Sequence, residues 1–415
     1  MNPRAVFDQT QLSGFALLLC ALSFPFLAVT ARAQSPANNS DMELVNKFLD
    51  EEGETPDTLK CNVKPWQPFL DFAFRFEAGY IVRCPLREFA GAGNTVVAFA
   101  RVTPEGGNSI VLGDAYQLPS TVGGTISGKA RIDQSRDELD FSGGFAAGEG
   151  SYHVELLVSN REATRMFRKR WRVHIEAKHS EKNVPIAVAD NEAVPLSFLP
   201  WNGTFDATGS GLRLTVLLDA APVNPSSQKM RAWDRSFLLS ALSSVMSQIN
   251  CQSVRLIAFN MDQQKEIFRK ERFDEAGFGE LSAAIRNLEL GMVSFQVLER
   301  TQGHASLLSH LASQEITHSE PSDAVILLGP HTRFLDKPPQ EFLTKRGGKG
   351  PQFFYLEYMP RWLLGREFPD VVEYVTKALD GTNFKIHSPA ELARAVQKIT
   401  EQVKHDPKQA GAGGQ

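Results

Sequence analysis

Apolar residues change their spacing once along this chain, and that change is the strongest constraint on its fold. From about residue 60 to 178 they recur at every second position, as where Phe72, Phe74 and Phe76 alternate with Ala73 and Arg75. Short apolar segments at 95–102, 109–112, 152–158 and 167–175 are separated by turns rich in Gly and Pro. Alternation places every second side chain on one face, so a series of short strands with turns predicts an antiparallel β-sandwich. From about residue 208 to 405 the pattern becomes strand, helix, strand, which predicts a doubly wound, mostly parallel α/β sheet.

The second half carries local signals of that kind. Leu212 to Leu218 is mostly apolar, as a strand covered on both faces must be. A helix follows with Leu238, Leu242, Val245 and Ile249 at steps of four, three and four. Strands are expected at 254–259, 265–268, 324–328 and 352–358, and helices over 281–288 and 305–311. Ser388-Pro-Ala-Glu391 has the form of a capping box with Pro at the first helical position, and Leu392, Val396, Ile399 and Val403 continue that helix on one face. Residues 179–207 contain Pro185, Pro195 and Pro200 and are expected to be a connector, and 406–415 a disordered tail.

Residues 1–33 combine Arg4, an apolar run from Phe15 to Val29 interrupted by Pro25, and Ala31-Arg32-Ala33, which is the pattern of a cleaved signal peptide. No later run approaches the roughly 20 apolar residues of a membrane span, so the mature chain is expected to be exported, periplasmic or extracellular, without a stable membrane anchor. Residues 34–59 are expected to form a polar leader and a short helix, with Leu44, Val45, Phe48 and Leu49 at helical spacing. A formal net charge of −4 argues against a nucleic-acid partner. In an oxidising compartment Cys61 and Cys84, which flank strand-like segments of one domain, are expected to pair and to leave Cys251 free and buried. Arg168, Arg170 and Arg172 share one face of a strand, either a solvent face or a stripe for an anionic polymer.

With these elements in order, the second half resembles a von Willebrand factor type A domain. The ending from Val372 to Leu392 is similar to the family's helix, Gly turn, short strand and final helix. The whole is similar to exported A-domain proteins of acidobacterial type, in which a β-rich region can precede the A domain. Members with a metal-ion-dependent adhesion site place Asp-x-Ser-x-Ser after the first strand, a Thr before a later helix and an Asp after the fourth strand. Here Asp219 is followed by Ala220-Ala221-Pro222-Val223, the second position reads Gln302-Gly303-His304-Ala305, and the third reads Leu328-Gly329-Pro330-His331. A hard cation such as Mg²⁺ needs about six oxygen ligands, so the resemblance implies a degenerate site with no metal and no cofactor; convergence of His304, His331 and Asp219 on a softer ion such as Zn²⁺ is a minor alternative.

Gly-x-Ser-x-Gly, His-Glu-x-x-His, P-loop and Gly-x-Gly-x-x-Gly motifs do not occur in the sequence. Lys345 to Gly350 is a basic glycine loop outside a nucleotide-binding context, read as a mobile interstrand loop. The expected function is therefore protein binding without catalysis. In doubly wound sheets ligands lie at the carboxyl ends of the strands, which selects Asp219, Ala221, Asn224, His304, Ser306, His331 and Thr332. Two alternatives stay open: an envelope assembly module with the sandwich as binder, and a hydrolase whose triad is formed only in space.

Overall fold

The computed structural model describes residues 34–50, 58–89, 95–118, 125–126, 130–131, 138–161, 163–205, 210–224, 227, 229–288, 290, 303–337, 350–360 and 368–404. The expected signal peptide, Pro225, most of the basic glycine loop (345–349) and the tail lie outside these residues. Among the described residues no helix is long and apolar enough to cross a membrane.

The first half runs β1 (Ser35–Pro36), α1 (Asn39–Asp50), β2 (Asn62–Pro65), β3 (Phe69–Leu70), β4 (Phe76–Pro85), β5 (Thr95–Pro104), β6 (Ile110–Gln117), β7 (Thr125–Ile126), β8 (Ala130–Arg131), β9 (Glu138–Ala147), β10 (Gly150–Asn160), β11 (Met166–Ile175) and β12 (Ala193–Pro195). One antiparallel sheet has the order β1-β6-β5-β10-β11; a second is β12-β9-β4-β2, with β3 also paired to β4, and β7 pairs with β8 apart from both. Alternation sends Val96, Ala98 and Ala100 of β5 and Leu156 and Val158 of β10 inward against Tyr80, Val82 and Phe141 of the other sheet. The sandwich thus takes β1 from the leader and β12 from the connector, reaching past 60–178 on both sides. Cys61 and Cys84 form a disulfide at the β2–β4 side, and Cys251 is free and buried.

Helix α1 covers the outer face of the first sheet, where Val45 and Leu49 pack with Phe99, Val111, Leu157 and Met166. Arg170 and Arg172 are exposed on this face, as expected of a solvent face, and the docked helix gives Arg168 and Arg170 a further structural role. Arg168 Nη1 donates to the Phe48 carbonyl at 3.3 Å and Arg170 Nη2 to the Leu49 carbonyl at 2.6 Å. These are among the last carbonyls of α1, which have no partner within the helix and carry its partial negative charge. Glu155, between Arg101 (2.6 Å) and Arg170 (2.9 Å), balances the added positive charge.

The second half runs β13 (Leu212–Asp219), α2 (Ala232–Gln248), β14 (Cys251–Asn260), β15 (Lys265–Lys270), α3 (Glu275–Arg286), α4 (Gly303–Thr317), β16 (Ala324–Pro330), β17 (Gln352–Tyr358), α5 (Val371–Ala378), β18 (Thr382–Ile386) and α6 (Pro389–Lys404). The sheet order is β15-β14-β13-β16-β17-β18, parallel except that β15 runs antiparallel to β14. Leu214, Val216 and Leu218 face α2, α3 and α6, whereas Leu217, Val325 and Leu327 face α4 and α5. Strands covered on both faces are apolar at consecutive positions, and this is why they read as uninterrupted runs. At the start of α6, Glu391 N donates to Ser388 Oγ, but the Glu391 carboxylate returns to the backbone N of His387 instead of Ser388.

The connector is packed between the two halves. Trp201 is buried against Phe273, its N donates to Ser243 Oγ at 3.0 Å, and its ring stacks on that phenylalanine at 5.9 Å. One contiguous apolar cluster runs from Phe74, Phe76 and Phe145 of the sandwich to Leu242, Leu256 and Ile399 of the α/β half.

Candidate functional site

The carboxyl ends of the parallel strands deliver Asp219 from β13, Met261 and Asp262 after β14, His331 to Phe334 after β16, and Glu357 from β17 to one edge. Two buried side chains shape its loops. Asp234 accepts from Val223 N at 3.0 Å and Arg231 N at 2.8 Å, fastening the loop after β13 to the first turn of α2. Asn260 donates to the Ala220 carbonyl at 2.8 Å and accepts from Gln263 N at 2.9 Å. Between the loops lies a shallow groove lined by Asp219, Ala221, Pro222, Met261, Asp262 and His331 to Phe334, whose interior holds about 20 Å³.

Strand register places carboxylates beside one another at its base. Leu218 lies opposite Leu328, and Gly329 opposite Glu357. A Cβ on Gly329 would fall 2.7 Å from the Asp219 Cβ. The absence of a side chain at Gly329 therefore lets Asp219 approach this strand closely. His331 Nδ1 is 2.6 Å from Glu357 Oε1 and 3.6 Å from Asp370 Oδ2. Asp370 caps α5: its Oδ1 accepts from Glu373 N, and its Oδ2 accepts from Thr332 N at 3.0 Å and from the Tyr355 hydroxyl at 3.1 Å.

The charges follow from this burial. Burial drives the Asp219 carboxyl well above its usual range, and the nearby charges of Asp262 and Asp370 push it further. Burial also raises Asp370, against the two backbone N–H groups that favour its charged form. Burial acts to lower His331, but its hydrogen bond to Glu357 and the charge of Asp370 outweigh that and raise it. Neither Asp219 oxygen nor Glu357 Oε2 has a hydrogen-bond partner.

Of the residues selected from the sequence, Asp219, Ala221, His331 and Thr332 line the groove. Asn224 and Ser306 are exposed and are not part of the lining. His304 is buried beside the groove, stacked on Phe334 at 4.2 Å and bonded to Asp336 at 2.7 Å. Sequence reasoning missed Glu357, Asp370 and Tyr355. Two signals pointed to them: a carboxylate near the end of a strand that is otherwise nearly all apolar, and the Asp370-x-x-Glu373 spacing of a helix start. A second concavity, of about 690 Å³, lies between the connector and the carboxyl end of α2. Among the described residues lining it, the titratable side chain is the Cys251 thiol, which burial pushes up to about 12.

No known protein family matches the sequence, and no curated protein matches it. Solved structures with some likeness include a Northeast Structural Genomics Consortium target, 12% identical over 30% of this chain and 98% of that one at a TM-score of 0.17. A β-glucuronidase from Bacteroides uniformis is 13% identical over 80% of this chain and 46% of its own, at 0.18. A glycosyl hydrolase family 2 member from Bacteroides cellulosilyticus is 8% identical over 84% and 50%, at 0.19. The chain spans about half the length of these two hydrolase chains. TM-scores of this size carry no argument about fold or activity.

Proposed function

We propose that this chain is an exported binding protein whose α/β half is a von Willebrand A-like domain, and that the carboxyl-edge groove contacts a protein partner. Support for the A-like reading comes from the sheet order, with its single antiparallel edge strand beside β14 and helices on both faces. The groove sits where connections from β13 diverge toward β14 and β16, the place doubly wound sheets use for ligands. Of the family's adhesion pattern only Asp219 survives, so contact with the partner does not use that magnesium site. The disulfide fits an oxidising compartment.

The size of the groove carries the binding reading. An interior of about 20 Å³ is more than tenfold below the roughly 300–1,000 Å³ of small-molecule sites. Yet the same edge exposes Trp233 (55%), Leu335 (52%) and Phe368 (64%). Exposed large apolar side chains beside a closed groove suit a macromolecular surface.

Capture from envelope extracts by the full chain, compared with Leu335→Asp and Phe368→Asp, tests this. A partner held by the native chain and lost from both variants supports the proposal. Loss instead on Phe69→Asp and Ile81→Asp, which alter exposed sandwich residues, would move binding to the sandwich and overturn it. Turnover of ester, amide or glycoside substrates that disappears in His331→Ala would overturn it in favour of an enzyme.

A further inference from the structure

We infer that His331, Glu357 and Asp370, with Asp219 facing them across Gly329, form a binding site for a divalent transition-metal ion of the zinc type. One donor atom from each of His331, Glu357 and Asp370 lies within 4.8 Å of the other two. A four-coordinate zinc ion with bonds of about 2.0–2.1 Å holds its ligand atoms roughly 3.3 Å apart. The observed 2.6 Å from His331 Nδ1 to Glu357 Oε1 and 3.6 Å to Asp370 Oδ2 bracket that value. Shifts of well under 1 Å would open the first pair as the ion replaces the proton they share.

Orphaned oxygens point to the ion independently of the cluster's composition. Asp219 is 3% exposed and Glu357 1%, yet both Asp219 oxygens and Glu357 Oε2 lack any hydrogen-bond partner. Buried carboxylate oxygens ordinarily have one. Gly329 lets Asp219 pack closely against β16, since a Cβ there would come within 2.7 Å of the Asp219 Cβ, and the adjoining groove interior of about 20 Å³ exceeds the roughly 10–15 Å³ that one water needs. Tyr355 and the Thr332 and Glu373 N–H groups fix the Asp370 carboxylate from outside, as outer partners of metal ligands do.

Donor chemistry selects the class of ion. An imidazole nitrogen with carboxylates suits zinc and its neighbours, whereas Mg²⁺ prefers oxygen alone and retains several waters. Glu357 and Asp370 occupy none of the positions of the family's adhesion pattern, and the site shares Asp219 alone with it. It stands or falls without the partner proposal, because metal uptake is read with no partner present.

The test is titration of the chelator-stripped full chain with Zn²⁺ alone, followed by calorimetry and thermal melting, with Co²⁺ absorption as a spectroscopic probe. The expected result is one ion per chain, a Tm higher by about 3 °C or more at saturation, and the intense visible bands of four-coordinate cobalt. His331→Ala and Gly329→Ala, checked for folding by circular dichroism, are expected to weaken uptake at least about 100-fold; Glu357→Gln is expected to do the same if it folds. No uptake by the native chain, or uptake unchanged in the folded His331 and Gly329 variants, would overturn the inference.

Discussion

The ring of Phe72, between β3 and β4, meets that of Phe237 on α2 edge-on at 4.8 Å, while the Phe72 carbonyl accepts from Ser244 Oγ at 2.7 Å. A loop of the sandwich is thereby built into the helix layer of the α/β half, where Tyr358, itself 4.1 Å from Phe237, completes a three-ring cluster at 5.2 Å from Phe72. Joined cores unfold together, so the full chain is expected to melt in one cooperative transition. Phe72→Ala, at a half-buried position, should cost about 2–3 kcal/mol and split or broaden that transition in calorimetry. A native chain that already melts in two separate steps would disprove the coupling.

Arg168 and Arg170 hold the carboxyl end of α1. Replacing both by Ala should cost about 1–2 kcal/mol, because two hydrogen bonds to helix carbonyls and their interaction with the helix dipole are lost. Hydrogen exchange should quicken across residues 39–50 and stay unchanged in α2 and α6. Uniform change throughout the chain would contradict this account.

Burial pushes the Glu77 carboxyl up to about 7, with Asp71 adding to the shift and Arg75 opposing it. A carboxyl raised in the folded state binds its proton more tightly there than in the unfolded chain. Its contribution is full below the unfolded value near 4.5 and is lost as pH rises toward 7. Glu77→Gln should therefore be more stable than the native chain above pH 7, by on the order of 2–3 kcal/mol, and little different below pH 4.5. Paired urea melts at about pH 4.5 and 8 would reveal it, and an equal effect at both values would count against it.

Glu315 on α4 is fully buried and pairs with Arg255 of β14 at 2.7 Å, with the Thr215 hydroxyl at 2.8 Å. Glu315→Ala removes the buried partner of Arg255 Nη1, while Nε keeps Glu271 at 2.5 Å and Nη2 stays beside His318, and should cost about 1.5–3 kcal/mol. Replacing the pair together, Arg255→Leu with Glu315→Met, should recover most of that loss. Chemical denaturation of the single and double variants separates the two cases, and an equally unstable double variant would contradict the account.

The Cys61–Cys84 bridge closes a loop across 23 positions. On the chain-entropy account this contributes about 3 kcal/mol, and Cys61→Ala/Cys84→Ala should lose a comparable amount. Thiol titration of the unfolded, unreduced chain from residue 34 onward should find Cys251 alone. Detection of Cys61 and Cys84 as free thiols would show that the bridge is absent.

Local sequence carried the element types and their order. Burial on one face or two leaves a period of two, of 3.6, or an unbroken apolar run, and each is legible within a dozen residues. The helix at 232–248, the apolar strands at 212–219 and 324–330 and the cap at Ser388 could all be read in this way. Sheet order, the sharing of one core across the connector and the use of the arginine row by α1 depend on contacts between distant segments, which no local period records. The site belongs to that second class. Asp219, His331, Glu357 and Asp370 come from four separate segments; the strand register, the side-chain-free Gly329 and the capped start of α5 bring them to one edge. The sequence determined that Asp219 ends a buried strand; only the tertiary structure determined which charges it faces there.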